Sequence, residues 1–298
     1  MSLSTKMQAW LLAARPRTLP AAMAPVVMGC ALAFRDGRFN IGPALAALAG
    51  ALLLQVGANF ANDFMDFQKG ADSPDRLGPP RMTAAGRISL REMQVGTAVV
   101  FGLASLCGVY LALTSGWPVI VIGLLSILAA LAYTGGPYPL GYHGLGEVFV
   151  LIFFGLAAVG GTYFVQTQGY SLAVLAASIP VGCLIAAILV VNNLRDIKTD
   201  RAAGKRTNAV RYGEAWTRNE FRLLLAVAFV LPLIMVISYL VTPWVLLCVL
   251  SLPMALNLSR HVGADRGSLL NLSLAATGSL ALVYSLLFAA GLVISHYF

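Results

Sequence analysis

Residues 171–194 read Ser171-Leu-Ala-Val-Leu-Ala-Ala-Ser-Ile-Pro180-Val-Gly-Cys-Leu-Ile-Ala-Ala-Ile-Leu-Val-Val-Asn192-Asn193-Leu194, and Arg195-Asp196-Ile-Lys198-Thr-Asp200 follows. The first 24 of these residues carry no charge. A helix rising 1.5 Å per residue needs about 20 apolar residues to cross a hydrocarbon core of about 30 Å. The stretch therefore reads as a transmembrane helix that delivers two amides and then a charged cluster to one membrane surface.

Working outward, apolar runs of similar length recur at roughly 18–34, 42–66, 94–114, 118–134, 147–166, 222–241, 243–259 and 269–294. With 171–194 they make nine spans in a single transmembrane domain over 1–298. The chain is 59% hydrophobic and 11% charged, with a mean hydropathy of +0.81. Soluble domains carry about 25% charged residues, so a secreted disulfide scaffold, a disordered chain and a cytosolic enzyme are excluded. No length remains for a separate soluble domain. Cys30, Cys107, Cys183 and Cys248 lie far apart in apolar stretches and read as small core residues. His143, His261 and His296 are isolated in sequence, without the spacing of a zinc site or a triad.

The formal charge of +8 is better explained by the positive-inside rule than by nucleic acid, since no stripe of Arg interleaved with aromatic residues is present. With a cytoplasmic N-terminus, 18 of the 20 Lys and Arg fall on the inner side and only Arg35 and Arg38 outside. An odd number of helices then places the C-terminus outside. The fold expected is an all-α integral membrane bundle. A cleaved leader is not expected, because Arg15-Pro16-Arg17 precedes the first apolar run and Pro20 and Pro25 interrupt it.

Two inner connections, 67–93 and 195–221, read as long polar loops, and they border most of the acids. The first cluster runs Gln55-Val-Gly-Ala-Asn59-Phe-Ala-Asn62-Asp63-Phe64-Met-Asp66-Phe-Gln-Lys69-Gly70-Ala-Asp72-Ser-Pro-Asp75-Arg76. Positions 55, 59, 62, 63 and 66 are three or four apart and form one polar stripe on a helix. An ionisable group on an otherwise apolar span usually faces a cavity or a partner. Gly70 and Pro74 then end the helix and turn Asp72 and Asp75 back toward it. In the second cluster Asn192, Asp196 and Asp200 are spaced i, i+4 and i+8, with Arg195 and Lys205 close by. Carboxylates one turn apart on two facing helices suit Mg²⁺, a hard ion commonly shared with substrate phosphates, and nearby Lys and Arg suit the remaining phosphate oxygens. The plainer reading of either cluster alone is an Asp at a helix end paired with a neighbouring base.

Asn62-Asp63-x-x-Asp66 with Lys69-Gly70-x-Asp72, and Asn192-Asn193-x-Arg195-Asp196-x-x-x-Asp200 leading to Gly204-Lys205-Arg206-Thr207, resemble the two aspartate-rich motifs of the UbiA superfamily of intramembrane prenyltransferases. The similarity runs over nearly the whole chain. Arg15-Pro16-Arg17-Thr18-Leu19, Lys69-Gly70-Ala71-Asp72 with Arg76-Leu77-Gly78-Pro79, and Tyr133-Thr134-Gly135-Gly136-Pro137 leading to Gly144-Leu145-Gly146-Glu147 are similar to its 1,4-dihydroxy-2-naphthoate polyprenyltransferase branch. Many superfamily members carry Asp four residues after the Asp66 position. Here Gly70 stands there and Asp72 two further on, as in the naphthoate branch.

The resemblance implies that Asn62, Asp63, Asp66, Asp72, Asp196 and Asp200 hold Mg²⁺ on the diphosphate of a polyprenyl donor. It implies that Lys69, Arg81, Asn192, Arg195 and Lys205 bind the diphosphate itself. Tyr133 and Phe64 are expected to shield the allylic cation, and Glu147 and Asn193 to meet the aromatic acceptor. Glu147 has a second explanation as an acid at a helix N-terminus, and Tyr133 as an interfacial aromatic. The implied reaction transfers the polyprenyl group to 1,4-dihydroxy-2-naphthoate with loss of diphosphate and CO₂, in a bacterial inner membrane with membrane lipids around it and the active site toward the cytoplasm. A second reading keeps the enzyme class and changes the acceptor to 4-hydroxybenzoate. A third, from another class, is an ion-coupled secondary transporter, although transporters usually hold their charges near the midplane rather than beside basic loops.

Overall fold

The computed structural model describes residues 3–70 and 77–298, all of its regular structure being helical. Eleven α-helical segments follow in order: α1 Leu3–Ala14, α2 Leu19–Arg35, α3 Ile41–Gln68, α4 Leu90–Ser115, α5 Pro118–Thr134, α6 Gly146–Val150, α7 Ala158–Thr167, α8 Leu172–Ala202, α9 Asn208–Ile237, α10 Leu252–Ala264 and α11 Leu270–Ile294. A π-helical stretch, Leu151–Ala157, joins α6 to α7, and a 3₁₀ stretch, Pro243–Ser251, leads into α10. Among the described residues eight helical runs are long and apolar enough to cross a membrane, and Pro118–Thr134 is a shorter apolar helix. Their outward residues, such as Leu106, Leu113, Leu128 and Leu272, are more than half exposed, as lipid-facing side chains are in a bundle without its bilayer.

The bundle is organised around α8, which is buried for most of its apolar length and packs against α9, α11, α2 and the π-helical stretch. Gly155 and Gly182 make the last contact possible. A Cβ on Gly155 would lie 2.9 Å from the Ser178 carbonyl oxygen, so only glycine allows the two backbones to approach this closely. Helix starts follow local chemistry. Ser171 caps α8 by accepting from Val174, and Ser89 with Glu92 forms a reciprocal capping box at α4.

The apolar runs locate the helices but not their ends. The segment 195–221, expected as a long loop, is mostly helix: α8 continues to Ala202, residues 203–207 turn, and α9 begins at Asn208 and kinks at Gly213, where φ is +83°. Hydropathy marks where a helix leaves lipid, whereas its backbone hydrogen bonds continue until a turn residue stops them. Here that residue is Gly204, with φ +71°. The helix α1 also lies outside the expected spans. Ala9 and Ala13 bury one face, Trp10 packs on Phe60 with ring centroids 5.2 Å apart, and Lys6 pairs with Glu92 at the start of α4.

Candidate active site

The inner end of α3 carries the first polar stripe, and every one of its members has a partner. Gln55 and Asn59 donate to the Thr18 hydroxyl at 3.2 and 3.1 Å, and Asn59 also donates to the Ala14 carbonyl at 3.0 Å. They fix the turn between α1 and α2, where Arg15 adopts a left-handed backbone with φ +52°. Asn62 accepts from the Thr134 hydroxyl at 2.5 Å. The two oxygens of Asp63, a buried residue, accept from the backbone N–H groups of Met82 and Thr83, both at 3.0 Å. Asp63 thereby anchors the segment that follows the first motif. Asp66, also buried, accepts from the Tyr142 hydroxyl at 2.8 Å and pairs with Arg81.

The second stripe projects from α8. Arg195 engages both oxygens of Asp196, Nε to Oδ1 at 2.8 Å and Nη2 to Oδ2 at 2.5 Å, and donates further to Asn192 and Asn271. Asp200 pairs with Lys205 at 3.3 Å. Asn193 donates to Glu147 at 2.8 Å and Asn208 to its other oxygen at 3.1 Å, tying α6, α8 and α9 together.

Both stripes open on one cavity of about 850 Å³. Asn62, Asp66 and Arg81 reach it from the first motif and its following segment, Asn192, Asn193, Asp196, Asp200 and Lys205 from the second, and Tyr133 from α5. Asp63, Arg195 and Glu147 are buried behind this wall rather than in it, Lys69 is an exposed residue at its edge beside Tyr142, and Phe64 packs in a separate apolar cluster with Phe60 and Met93. Asp72 lies outside the described residues. Beyond the polar end the cavity continues along α3, α4 and α5 as an apolar groove past Gly50, Leu54, Cys107 and Leu111 to Val119.

Two residues without a signal in the sequence hold this site together. Tyr142 lies in the Gly- and Pro-rich connection after α5, with the ammonium groups of Lys69 and Lys205 at 5.0 and 4.8 Å from its ring centroid. Burial, and next the Asp66 carboxylate, push its phenol well above the ordinary value. Lys69 is lowered, chiefly by burial; Asp66 opposes this and Lys205 adds to it. Asn271, at the start of α11, donates to the Leu77 carbonyl at 2.9 Å while accepting from Arg195, and so links the segment after the first motif to the second.

Among the described residues no three acidic, His or Cys side chains are close enough to grip a metal on their own. The carboxylates are instead neutralised by Arg81, Arg195 and Lys205, and Asp66 accepts a further hydrogen bond from Tyr142. The donor set is nonetheless that of a hard cation shared with an anionic ligand: oxygen donors from two helices on one cavity, with ammonium and guanidinium groups between them.

The fold and cavity define a polytopic helical membrane protein with a cluster of acidic and basic side chains at one end of an apolar groove. The chain belongs to the UbiA prenyltransferase family, whose model matches residues 22–270. It is 41% identical to the 1,4-dihydroxy-2-naphthoate octaprenyltransferase of Mycobacterium tuberculosis over 87% of both chains. It is 37% identical to the Escherichia coli protein of that name over 98% of this chain and 97% of the other. Among solved structures, the apo UbiA homologue of Aeropyrum pernix superposes with a TM-score of 0.71 at 16% identity, covering 92% of this chain and 97% of that one. The Archaeoglobus fulgidus homologue bound to GPP and Mg²⁺ gives 0.70 at 14%, covering 96% and 99%. Membership of this family sets aside the ion-coupled transporter reading.

Proposed function

We propose that the protein transfers a polyprenyl group from polyprenyl diphosphate to 1,4-dihydroxy-2-naphthoate, releasing diphosphate and CO₂ to give the prenylated naphthalenediol, the reduced form of demethylmenaquinone. The observation that carries this reading is the single cavity into which Asp66 from one motif and Asp196 and Asp200 from the other both open, continued by an apolar groove. The names of the near-full-length relatives support the naphthoate acceptor over 4-hydroxybenzoate. The apolar helices, including Pro118–Thr134, are read as nine spans of a bacterial inner membrane, with the N-terminus and the polar end of the cavity cytoplasmic and the C-terminus outside.

Asp66, Asp196 and Asp200, with Asn62 and Asn192, are the residues assigned to hold Mg²⁺. When bound, the ion neutralises the charge that develops on the departing diphosphate. Arg81 and Lys205 line the cavity and supply further positive charge to the same oxygens, while Lys69 stands next to them across Tyr142. Arg195 orients Asp196 from behind. The allylic carbon becomes cation-like, and Tyr133, which lines the cavity, is the aromatic residue placed to shield it. Apolar walls around the groove keep out water that would quench the cation, and the polyprenyl tail lies along them.

The test is prenyl transfer by the purified protein with an isoprenoid diphosphate and Mg²⁺, offering 1,4-dihydroxy-2-naphthoate and 4-hydroxybenzoate in parallel. A decarboxylated prenyl-naphthalenediol, identified by mass, is the expected product. Prenylation of the benzoate alone would overturn the acceptor and leave the donor site standing.

A further inference from the structure

We infer that Tyr142 is a positioning residue whose ring presents Lys69 and Lys205 as a pair to the diphosphate. The inference rests on the diphosphate site proposed above. Lys69 follows α3 and Lys205 follows α8, so the two cations come from motifs far apart in sequence, yet both ammonium groups lie about equally close to one ring. Each ammonium has a partner of its own, Lys69 donating to the Thr134 carbonyl at 2.5 Å and Lys205 pairing with Asp200 at 3.3 Å, but the ring of Tyr142 is a group they share, and its negative face attracts both. Tyr142 is itself fixed at two points, its side-chain hydroxyl and its main chain. Its hydroxyl donates to Asp66 at 2.8 Å, and the Tyr142 carbonyl accepts from the Arg206 N–H at 2.7 Å, next to Lys205 in the chain. Tyr142 therefore touches the end of each motif and lines the cavity into which the anion would come.

A lysine on its four-carbon stem loses rotamer freedom when it grips an anion, and a platform that already holds it lowers that loss. This assigns different roles to the two parts of Tyr142. The ring holds the lysines, and the hydroxyl is a partner of Asp66 that an incoming ligand set can replace.

The test measures binding of inorganic diphosphate with Mg²⁺ to the purified full-length protein by calorimetry. Y142F, which keeps the ring, is expected to bind within about threefold of the unaltered protein, and Y142L to bind about tenfold or more weakly. In a K69M/K205M background the leucine substitution is expected to change affinity by less than about twofold, since the ring then has nothing to hold. An equal loss in both backgrounds, a Y142L variant that binds as the unaltered protein does, or a Y142F variant as impaired as Y142L would each overturn the inference. If Y142L fails to melt cooperatively, Y142M, of similar bulk and without a π face, takes its place. Absence of diphosphate binding by the unaltered protein would instead remove the site reading on which this one depends.

Discussion

Arg195 grips the carboxylate of its own chain neighbour, Asp196, at both oxygens, and the same guanidinium reaches Asn192 and Asn271. A planar fork with five donors can do this, and a lysine cannot. Arg195→Lys should keep a positive charge beside Asp196 while losing the two-point contact. Outer partners of a metal ligand typically cost about 10–100-fold when altered. We therefore expect kcat/KM to fall by that order with the thermal melt little changed. An R195K enzyme of unaltered activity would show that the orientation of Asp196 is set elsewhere.

Asp63 and Asp66 are three residues apart and equally buried, but their partners give them opposite expected phenotypes. Asp63 accepts two backbone N–H groups of the segment after the motif, and a buried donor left without an acceptor costs about 1–3 kcal/mol. Asp63→Ala should lower the melting temperature in detergent and loosen residues 82–83, which faster amide exchange there would report. Asp66 faces the cavity, so Asp66→Asn, like Asp196→Asn, should leave the melt cooperative and reduce turnover below detection.

This division between anchor and cavity residue is where the sequence stops being legible. The spacing of 55, 59, 62, 63 and 66 places one polar stripe on α3, and the apolar runs place its spans, because both depend on helical period and transfer energy alone. Which of two aspartates faces the cavity depends on where the segment 77–89 returns, and no local pattern encodes that. Tyr142 and Asn271 were silent for the same reason: each acts through contacts with residues more than 60 positions away. The difference over 195–221 has another origin: a run of charge marks only the exit from lipid, and the helix continues through it. Asp196 and Asp200 are consequently presented by a continuous helix, α8.

Asp36, at the opposite end of the bundle, supplies a control with a pH signature. Burial acts to raise its carboxyl, but hydrogen bonds from Arg35 at 2.8 Å and Tyr163 at 2.7 Å outweigh it, so the group titrates below its ordinary 3.8. A depressed folded-state value means the stabilisation is complete above the unfolded value and is lost as pH falls through the folded one. Asp36→Asn should melt somewhat below the unaltered protein at neutral pH, and the gap should close in acid below about 3.8. Prenyl transfer should be unchanged, because Asp36 is not part of the cavity wall. A gap that widens in acid would contradict the assignment of its partners.

The groove makes a prediction about donor length that one native thiol can report. Cys107 lines it opposite Gly50, where an added Cβ would meet the cysteine Cβ at 3.5 Å. Gly50 precedes Asp66 by 16 residues on α3, which at 1.5 Å per residue puts the thiol about 24 Å from the headgroup site. A geranyl chain anchored by its diphosphate ends well short of that level, whereas an octaprenyl chain, the length in the names of bacterial relatives, passes it. In a protein retaining Cys107 alone, with Cys30, Cys183 and Cys248 replaced by alanine, a non-hydrolysable octaprenyl diphosphate analogue should slow maleimide labelling severalfold. The geranyl analogue should not, although both occupy the diphosphate site. Equal labelling under the two analogues would mean that the tail leaves the bundle before reaching α4, and the small residues along Gly50, Cys107 and Gly108 would then need a purpose other than making room for it.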